Sequence, residues 1–133
     1  MIVLPRYYRF RVLNNCGQTI SAGNVKVYGR RFKFDSTGAL SYESSETTIY
    51  TSSGGITTGS YDNSSMVDNG TNLYVGGAFV FEVTAPASAS GNVILFFERS
   101  TDGTTRVDTA GVGDVVAVLN FTTNGTKYKS FNI

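Results

Sequence analysis

The chain has 133 residues, of which 41% are hydrophobic, and its formal net charge is +1, so we expect one folded domain rather than a disordered chain. Histidine and tryptophan are absent and cysteine occurs once, which excludes an internal disulfide and most nucleophilic and metal-binding chemistry. Gly, Ser, Thr and Asn fill 55 of the 133 positions, a composition that disfavours helices and predicts strands joined by turns.

Two extended segments are predicted in the first quarter of the chain. Residues 7–13 alternate, with apolar or aromatic side chains at even positions and arginines among the odd ones. Residues 24–34 alternate as well, but their apolar positions change from odd to even in the middle. Because a period of two changes phase only where an extra residue is inserted, Gly29 is a candidate β-bulge.

The middle of the chain is rich in turn-forming residues. Residues 35–38 (Asp-Ser-Thr-Gly) suit a type I turn, and residues 39–42 and 47–50 are predicted short strands. Residues 52–71 are mostly Ser, Gly, Thr, Asn and Asp, which is typical of a long loop or of two short hairpins. Loops longer than about 15 residues are uncommon and are usually functional or mobile. We therefore predict a long polar loop or arm at about 52–71.

Strands return in the second half. Residues 79–84 alternate, whereas residues 92–99 and 114–122 are apolar on both faces. In a two-layer sandwich the outer face of a strand is expected to be polar, so a long loop or another subunit should cover these two strands. Asn124-Gly125 is a strong hairpin signal and is predicted to join the second of them to a last strand.

Together these segments predict about eight strands separated by turns. We predict an all-β fold, a two-sheet antiparallel sandwich that is jelly-roll-like or Ig-like, in a single domain over residues 1–133.

The charges are divided unevenly along the chain. Residues 1–34 carry seven basic side chains and no acid, a charge of +7, and residues 35–133 carry −6. The two parts could neutralise each other within the fold, meet between copies of the chain, or leave a basic surface for nucleic acid. RNP, KH and C2H2 motifs are absent, so nucleic acid is not expected as a partner. The candidate residues for an assembly interface are Arg9, Arg11, Arg30, Arg31 and Lys33.

Catalytic and metal sites are not predicted. A glycosidase needs two carboxylates across a sugar, but Glu82 and Glu98 stand opposite the more apolar faces of their strands, where solvent-facing charges belong. Asp102, Asp108 and Asp114 could hold only an oxygen-liganded cation, and their spacing does not fit an EF-hand loop. We expect no enzyme activity, no cofactor and no metal.

Exposed tyrosines offer one route to ligand binding. Tyrosines lie in or near the polar central region, and aromatic rings of this kind stack on saccharides in many sugar-binding modules. The alternative is that these tyrosine side chains pack the ends of loops against the hydrophobic core. The candidate ligand contacts are Tyr61 and Tyr74.

No targeting or membrane segment is predicted. Only three apolar residues lie between Met1 and Pro5, whereas a secretory signal needs roughly 7–15. The longest apolar run, residues 93–97, is far shorter than the about 20 residues of a membrane span. We expect a soluble chain that is made in a cytoplasm and has no membrane partner.

Three segments resemble small β-rich virion proteins of tailed bacteriophages: residues 8–12 (Tyr-Arg-Phe-Arg-Val), residues 29–40 and residues 95–103 (Leu-Phe-Phe-Glu-Arg-Ser-Thr-Asp-Gly). The likeness extends to the strand over residues 115–121 and the short C-terminal strand that holds Phe131.

This resemblance implies a non-enzymatic structural protein, made in the host cytoplasm and present in many copies in the virion. It would act in capsid decoration or cementing, or in the neck or tail. Its partners would be other copies of itself, as a homo-oligomer in the particle, and the major capsid, neck or tail proteins. Reversal of Arg30 and Arg31 to Glu would then block incorporation and leave the fold intact. The alternative is a carbohydrate- or receptor-binding module at a phage or bacterial surface.

Overall fold

The computed structural model describes residues 4–133, which form ten β-strands and contain no helix. Residues 1–3, the start of the N-terminal segment considered above, lie outside the described residues. Within residues 4–133 there is accordingly no helix long and apolar enough to cross a bilayer. The strands are β1 (Tyr7–Asn15), β2 (Val25–Phe34), β3 (Leu40–Tyr42), β4 (Thr47–Thr51), β5 (Tyr61–Asn63), β6 (Val67–Asp68), β7 (Gly76–Ala85), β8 (Gly91–Ser100), β9 (Asp114–Phe121) and β10 (Gly125–Asn132).

The strands form two antiparallel sheets packed face to face. The first sheet has the order β5-β1-β8-β9, with β6 also paired to β1. The second sheet has the order β10-β7-β2-β3, with β4 also paired to β2. The predicted two-sheet antiparallel sandwich is therefore confirmed. Ten strands are present where about eight were expected, since the polar segment contributes two short ones.

One aromatic core holds the two sheets together. Phe10 of β1 lies at its centre, and its ring centroid is 5.6 Å from Phe97 of β8 in the same sheet. Across the sandwich it is 5.7 Å from Phe79 of β7 and 5.9 Å from Phe131 of β10. Each buried aromatic ring removes about 150–250 Å² from water, so these rings dominate the energy that joins the sheets. Further buried positions on the inner faces are Tyr8, Val12, Val25, Val27, Phe81, Val83, Val93 and Leu95.

The predicted bulge at Gly29 is wrong. β2 pairs with β7 without interruption from Val25 to Phe32. The register shift in this region belongs to the pairing of β2 with the edge strand β4, and it falls between Val27 and Tyr28. The extra residue is therefore on β4, and β2 keeps its period of two.

Gly29 occupies an inner-face position for a packing reason. A Cβ atom there would lie 2.6 Å from Cδ1 of Ile49 and 2.8 Å from the ring of Phe79, too close for real side chains. The glycine thus leaves room for the two larger groups in the core. The change of apolar phase has another cause: Phe32 and Phe34 lie on the outer face of β2.

The predicted hairpin at Asn124-Gly125 is also wrong. A tight turn is present, but β9 belongs to the first sheet and β10 to the second, so the turn joins the two layers. Phe121 is buried at the end of β9. Lys127 reaches back from β10, with its Nζ atom 5.4 Å from the centroid of that ring and 2.6 Å from the Asn120 carbonyl oxygen. The dipeptide therefore forms the tight turn, but the sheet that each strand joins is set by its neighbour: β9 pairs with β8, and β10 pairs with β7.

The polar segment over residues 52–71 does not project as an arm. Its strands β5 and β6 pair with β1 and form one edge of the first sheet. Ile56 is buried and forms an isolated bridge with Ile20. The Tyr50 hydroxyl donates to the Asp62 carboxylate, which connects β4 of the second sheet to β5 of the first. The segment closes one side of the sandwich.

Candidate assembly surface

The five predicted basic residues lie in two different sheets. Arg9 and Arg11 are on the outer face of β1 in the first sheet, whereas Arg30, Arg31 and Lys33 belong to β2 in the second. The five side chains therefore do not form one continuous basic surface.

Arg9 and Arg11 are neutralised within the fold by Glu98. The β1–β8 register places Arg9 directly opposite Glu98. Each Nε atom lies 2.7 Å from a different oxygen of that carboxylate. Glu98 is fully buried, so the expectation that it faces solvent is wrong. Its outer-face position is as predicted, but the guanidinium groups of Arg9 and Arg11 cover it. The main chain at Gly113 also covers it, since a Cβ atom at that glycine would lie 3.0 Å from Glu98 Cγ.

Arg31 is also paired, at an inner-face position at the end of the core. Its Nη2 and Nε atoms lie 2.7 Å and 3.0 Å from the Glu43 carboxylate, and its Nη1 donates to the Tyr8 hydroxyl at 3.2 Å. The hydrogen bonds to Glu43 raise the pKa of Arg31, and burial raises the pKa of Tyr8. Burial by itself would raise the pKa of Glu43, but the Arg31 guanidinium and main-chain N–H hold it below its usual value. Reversal of Arg31 to Glu would place a second carboxylate beside Glu43 in this cluster. In contrast to the prediction from the sequence, we therefore expect this reversal to destabilise the fold.

Arg30 and Lys33 are the members of the set without a carboxylate at ion-pair distance anywhere in residues 4–133. Arg30 is exposed and donates from Nε to the main-chain oxygen of Glu43 at 2.8 Å. The Lys33 Nζ atom lies 5.7 Å from the centroid of the Tyr74 ring. Three of the five predicted basic residues are thus paired with acids from the second part of the chain. The division of charge is in part neutralised within the fold.

The two candidate ligand tyrosines do not form a common platform. Tyr61 lies on the outer face of the first sheet, with its ring centroid 6.3 Å from Phe96 and 5.8 Å from the Arg11 guanidinium. Tyr74 is half-buried ahead of β7, with the Arg31 guanidinium 4.6 Å from its ring centroid. Tyr74 borders an open cavity of about 340 Å³, whose other lining residues are Leu4, Arg6, Asn69, Gly70, Leu73 and Val75.

An apolar row crosses the outer face of the first sheet. Successive register pairs bring Tyr61, Leu13, Ile94 and Val118 side by side on β5, β1, β8 and β9. In the neighbouring row Val115 stands opposite Phe96. Strands are about 4.8 Å apart, so the row is about 15 Å long. An outer face of this kind departs from the polar face expected of an antiparallel sandwich.

The loop between β8 and β9 covers part of this face. A Cβ atom at Gly111 would lie 2.9 Å from the Tyr61 hydroxyl, and one at Gly113 would lie 2.7 Å from the Phe97 carbonyl oxygen. Phe96 is only 6% exposed. Val115 and Val118, however, remain 56% and 37% exposed. The loop therefore covers only part of the outer apolar face of β8 and β9, for which a covering loop or subunit was predicted. We call the apolar set left beside it the apolar strip: Leu13, Tyr61, Ile94, Val115 and Val118.

A second apolar surface lies on the β2–β3 hairpin. Phe34 pairs with Leu40 and Phe32 with Tyr42, so the four side chains share one face. Phe34 and Leu40 stand beyond the last pair that β2 forms with β7, and they are 58% and 51% exposed. Asp35 fixes the turn, because its Oδ1 atom accepts from Thr37 N and Ala39 N at 2.8 Å and 3.0 Å. We call Phe34, Leu40 and Tyr42 the hairpin patch.

Neither the apolar strip nor the hairpin patch was predicted from the sequence, although the sequence contains some of the residues that indicate each of them. The outer-face apolar residues of β8 were recognised, but their neighbours on β1 and β5 depend on long-range register. The hairpin patch was signalled by Phe32 and Phe34, whose even phase was assigned to a bulge instead of to an outer apolar face.

The acidic residues considered for a metal site have separate partners. Asp102 Oδ1 accepts from three main-chain N–H groups of its own loop, those of residues 104–106. Asp108 accepts from the main chain of Arg99, and Asp114 forms an ion pair with the Arg99 side chain. Within the part of the chain that the structure covers, no three His, Cys, Asp or Glu side chains are placed to hold a metal ion.

Comparisons with protein families, with curated proteins and with solved structures found no match to this chain. The function is therefore inferred from the two apolar surfaces and from the resemblance noted in the sequence.

Proposed function

We propose that the chain is a non-enzymatic structural protein of a tailed-phage virion, present in many copies on the capsid or in the neck or tail. It would contact its neighbours through the apolar strip and the hairpin patch. The observation that carries the assembly part of this proposal is the strip itself, which the fold leaves partly uncovered. The virion part is supported by the resemblance of residues 8–12, 29–40 and 95–103 to such proteins.

The size of the strip suits weak, repeated contacts. Full burial of a valine side chain is worth about 1.5–3 kcal/mol, so burial of the exposed parts of Val115 and Val118 would contribute about 1 kcal/mol each. A stable interface in solution needs about 800 Å² from each partner, more than a row about 15 Å long provides. Contacts of this strength become effective where many copies bind to a repeating lattice.

Two separate apolar surfaces also suit a protein that touches more than one neighbour. The strip lies on the first sheet, and the hairpin patch extends from the second. Arg30 and Lys33, which have no carboxylate at ion-pair distance in residues 4–133, lie on the same strand as Phe34 of the patch, so they would add an electrostatic contribution to docking there. This replaces the five-residue basic interface expected from the sequence.

A charge placed in the strip tests the proposal. Val118→Asp would bring a carboxylate into the contact, and we expect incorporation into particles to fall about tenfold, which corresponds to about 1.4 kcal/mol. Incorporation is measured by competition with the unaltered chain, followed by mass spectrometry of purified particles.

The matched control is Thr48→Asp. Thr48 is exposed on β4 of the other sheet and has nearly the shape of valine. Val115→Asp serves as a second variant, since Val115 is more exposed and its replacement disturbs the fold less. Normal incorporation of both strip variants, with melting temperatures near that of the unaltered chain, would exclude the strip as the contact.

A carbohydrate- or receptor-binding module is the second candidate function, and the cavity beside Tyr74 is the observation that favours it. The cavity is open and mostly apolar, and its one aromatic residue, Tyr74, and its one charged residue, Arg6, are the groups that a sugar would contact. Binding of a glycan panel that is lost in Tyr74→Ala and kept in Tyr61→Ala would support this function. No response across the panel would count against it.

A further inference from the structure

Two asparagines in the chain stand in the same local sequence but in opposite environments. Asn69 and Asn124 are each followed by Gly and Thr. An asparagine that precedes glycine is prone to lose its side-chain amide, because the following nitrogen is unhindered and can attack the side-chain carbonyl carbon. The same reaction, loss of the side-chain amide, can therefore be compared at Asn69 and Asn124 within one chain.

Asn124 lies in the exposed turn between β9 and β10. The hydrogen bond found for its side chain is with its immediate neighbour, as the Thr123 hydroxyl donates to Oδ1 at 3.2 Å. Gly125 has a φ of 136°, and a Cβ atom there would meet nothing within 4 Å. The turn thus has free space around the bond that must close for the reaction.

Asn69 is held on both sides. It is 5% exposed. Its Oδ1 accepts from the main-chain nitrogen of Tyr74 at 2.9 Å, and its Nδ2 donates to the main-chain oxygen of Tyr74 at 2.7 Å. The nitrogen of Gly70, which would be the attacking atom, donates to Asp68 Oδ1 at 2.8 Å. A Cβ at Gly70 would lie 2.9 Å from that oxygen, so the site is also crowded. Ring closure here requires the segment to open first.

We propose that Asn124 is a site of spontaneous deamidation and that the fold protects Asn69. Solvent base removes the proton of the Gly125 main-chain nitrogen, which attacks Cγ of Asn124. The new N–Cγ bond forms, the Cγ–Nδ2 bond breaks, and ammonia leaves with a proton from water. Water then adds to either carbonyl of the five-membered succinimide and opens it to aspartate or isoaspartate.

The modification would change the turn that joins β9 to β10. Replacement of the neutral amide by a carboxylate lowers the formal net charge from +1 to 0, three residues before Lys127. In the isoaspartate product the main chain gains one methylene group within the turn that joins the two sheets. The expected consequence is a looser junction at the end of the sandwich where Lys127 contacts Phe121.

The test compares both sites in the folded chain and in the denatured chain. The protein is incubated in mildly alkaline buffer made with ¹⁸O-labelled water, and the peptides that contain Asn69 and Asn124 are quantified by mass spectrometry. In denaturant we expect similar rates at both sites. In the folded chain we expect Asn124 to react at least about tenfold faster, because Asn69 reacts only after local opening.

Two variants make the outcome specific to the proposed geometry. Asn124→Gln should abolish the early acidic form on ion exchange. Asp68→Ala removes the acceptor of the Gly70 nitrogen and should raise the rate at Asn69. Equal rates at the two sites in the folded chain, or an intact Asn124 after the denatured chain has reacted, would overturn the proposal.

Discussion

Single residues in this chain owe their roles to partners far away in the sequence. Glu98 was placed correctly on the outer face of its strand, yet it is buried, because its partners Arg9 and Arg11 come from 89 and 87 positions earlier. The alternation of apolar and polar residues along the strand indicated which face of the sheet Glu98 occupies. It could not indicate that Arg9 and Arg11 cover that face. Arg31 is a similar case, since only the pairing of β2 places it between Glu43 and Tyr8.

Glu98→Gln should destabilise the fold strongly. The substitution keeps the shape but leaves two largely buried guanidinium groups without their common counter-charge, which costs about 3–5 kcal/mol. The free energy of unfolding in urea measures the effect. The exposed Glu46 provides the control, since Glu46→Gln should stay within about 0.5 kcal/mol. Equal effects of the two substitutions would contradict the buried ion-pair assignment.

Glu43 should contribute to acid sensitivity. Its folded-state pKa lies below the unfolded value of about 4.3, so the stabilisation is complete above that pH and is lost as the pH falls through the folded pKa. We expect Glu43→Gln to be less stable than the unaltered chain at neutral pH, and the difference to shrink towards about pH 3. Urea unfolding at both pH values measures it, and a difference independent of pH would refute this role.

At the scale of elements, strands and turns could be located from the sequence, but their pairing could not. The ranges predicted for β1, β2, β8 and β9 match the observed strands closely. The turn at Asn124-Gly125 was found, but the local sequence could not show that β9 and β10 pair into different sheets. The phase change in β2 was real, and its cause is an outer apolar face, which a single strand cannot distinguish from a bulge.

Gly29→Ala tests the packing account of β2. The added methyl group would stand 2.6 Å from Ile49 and 2.8 Å from Phe79, and overpacking of this kind costs about 1–3 kcal/mol. Gly54→Ala is the matched control, because a Cβ there meets nothing within 4 Å. Thermal unfolding of both variants measures the difference. A Gly29→Ala variant as stable as the control would show that the core has spare room at this point.

At the scale of the whole molecule, composition and the alternating segments together sufficed for the fold class, because a chain so rich in Thr, Ser, Gly and Asn favours strands joined by turns. The position of the candidate site could not be derived in this way. The basic residues were the visible signal, but three of the five are neutralised internally. The apolar strip emerges only when β5, β1, β8 and β9 are placed side by side.

The most direct test of the proposed function is to count the copies of this chain in purified virus particles by quantitative mass spectrometry. Weak apolar contacts act effectively only when repeated, so we predict copies on the order of hundreds per particle. Such a count would support a repeated capsid or tail element. Absence of the chain from the particles would contradict the proposal that it is a structural protein of the virion.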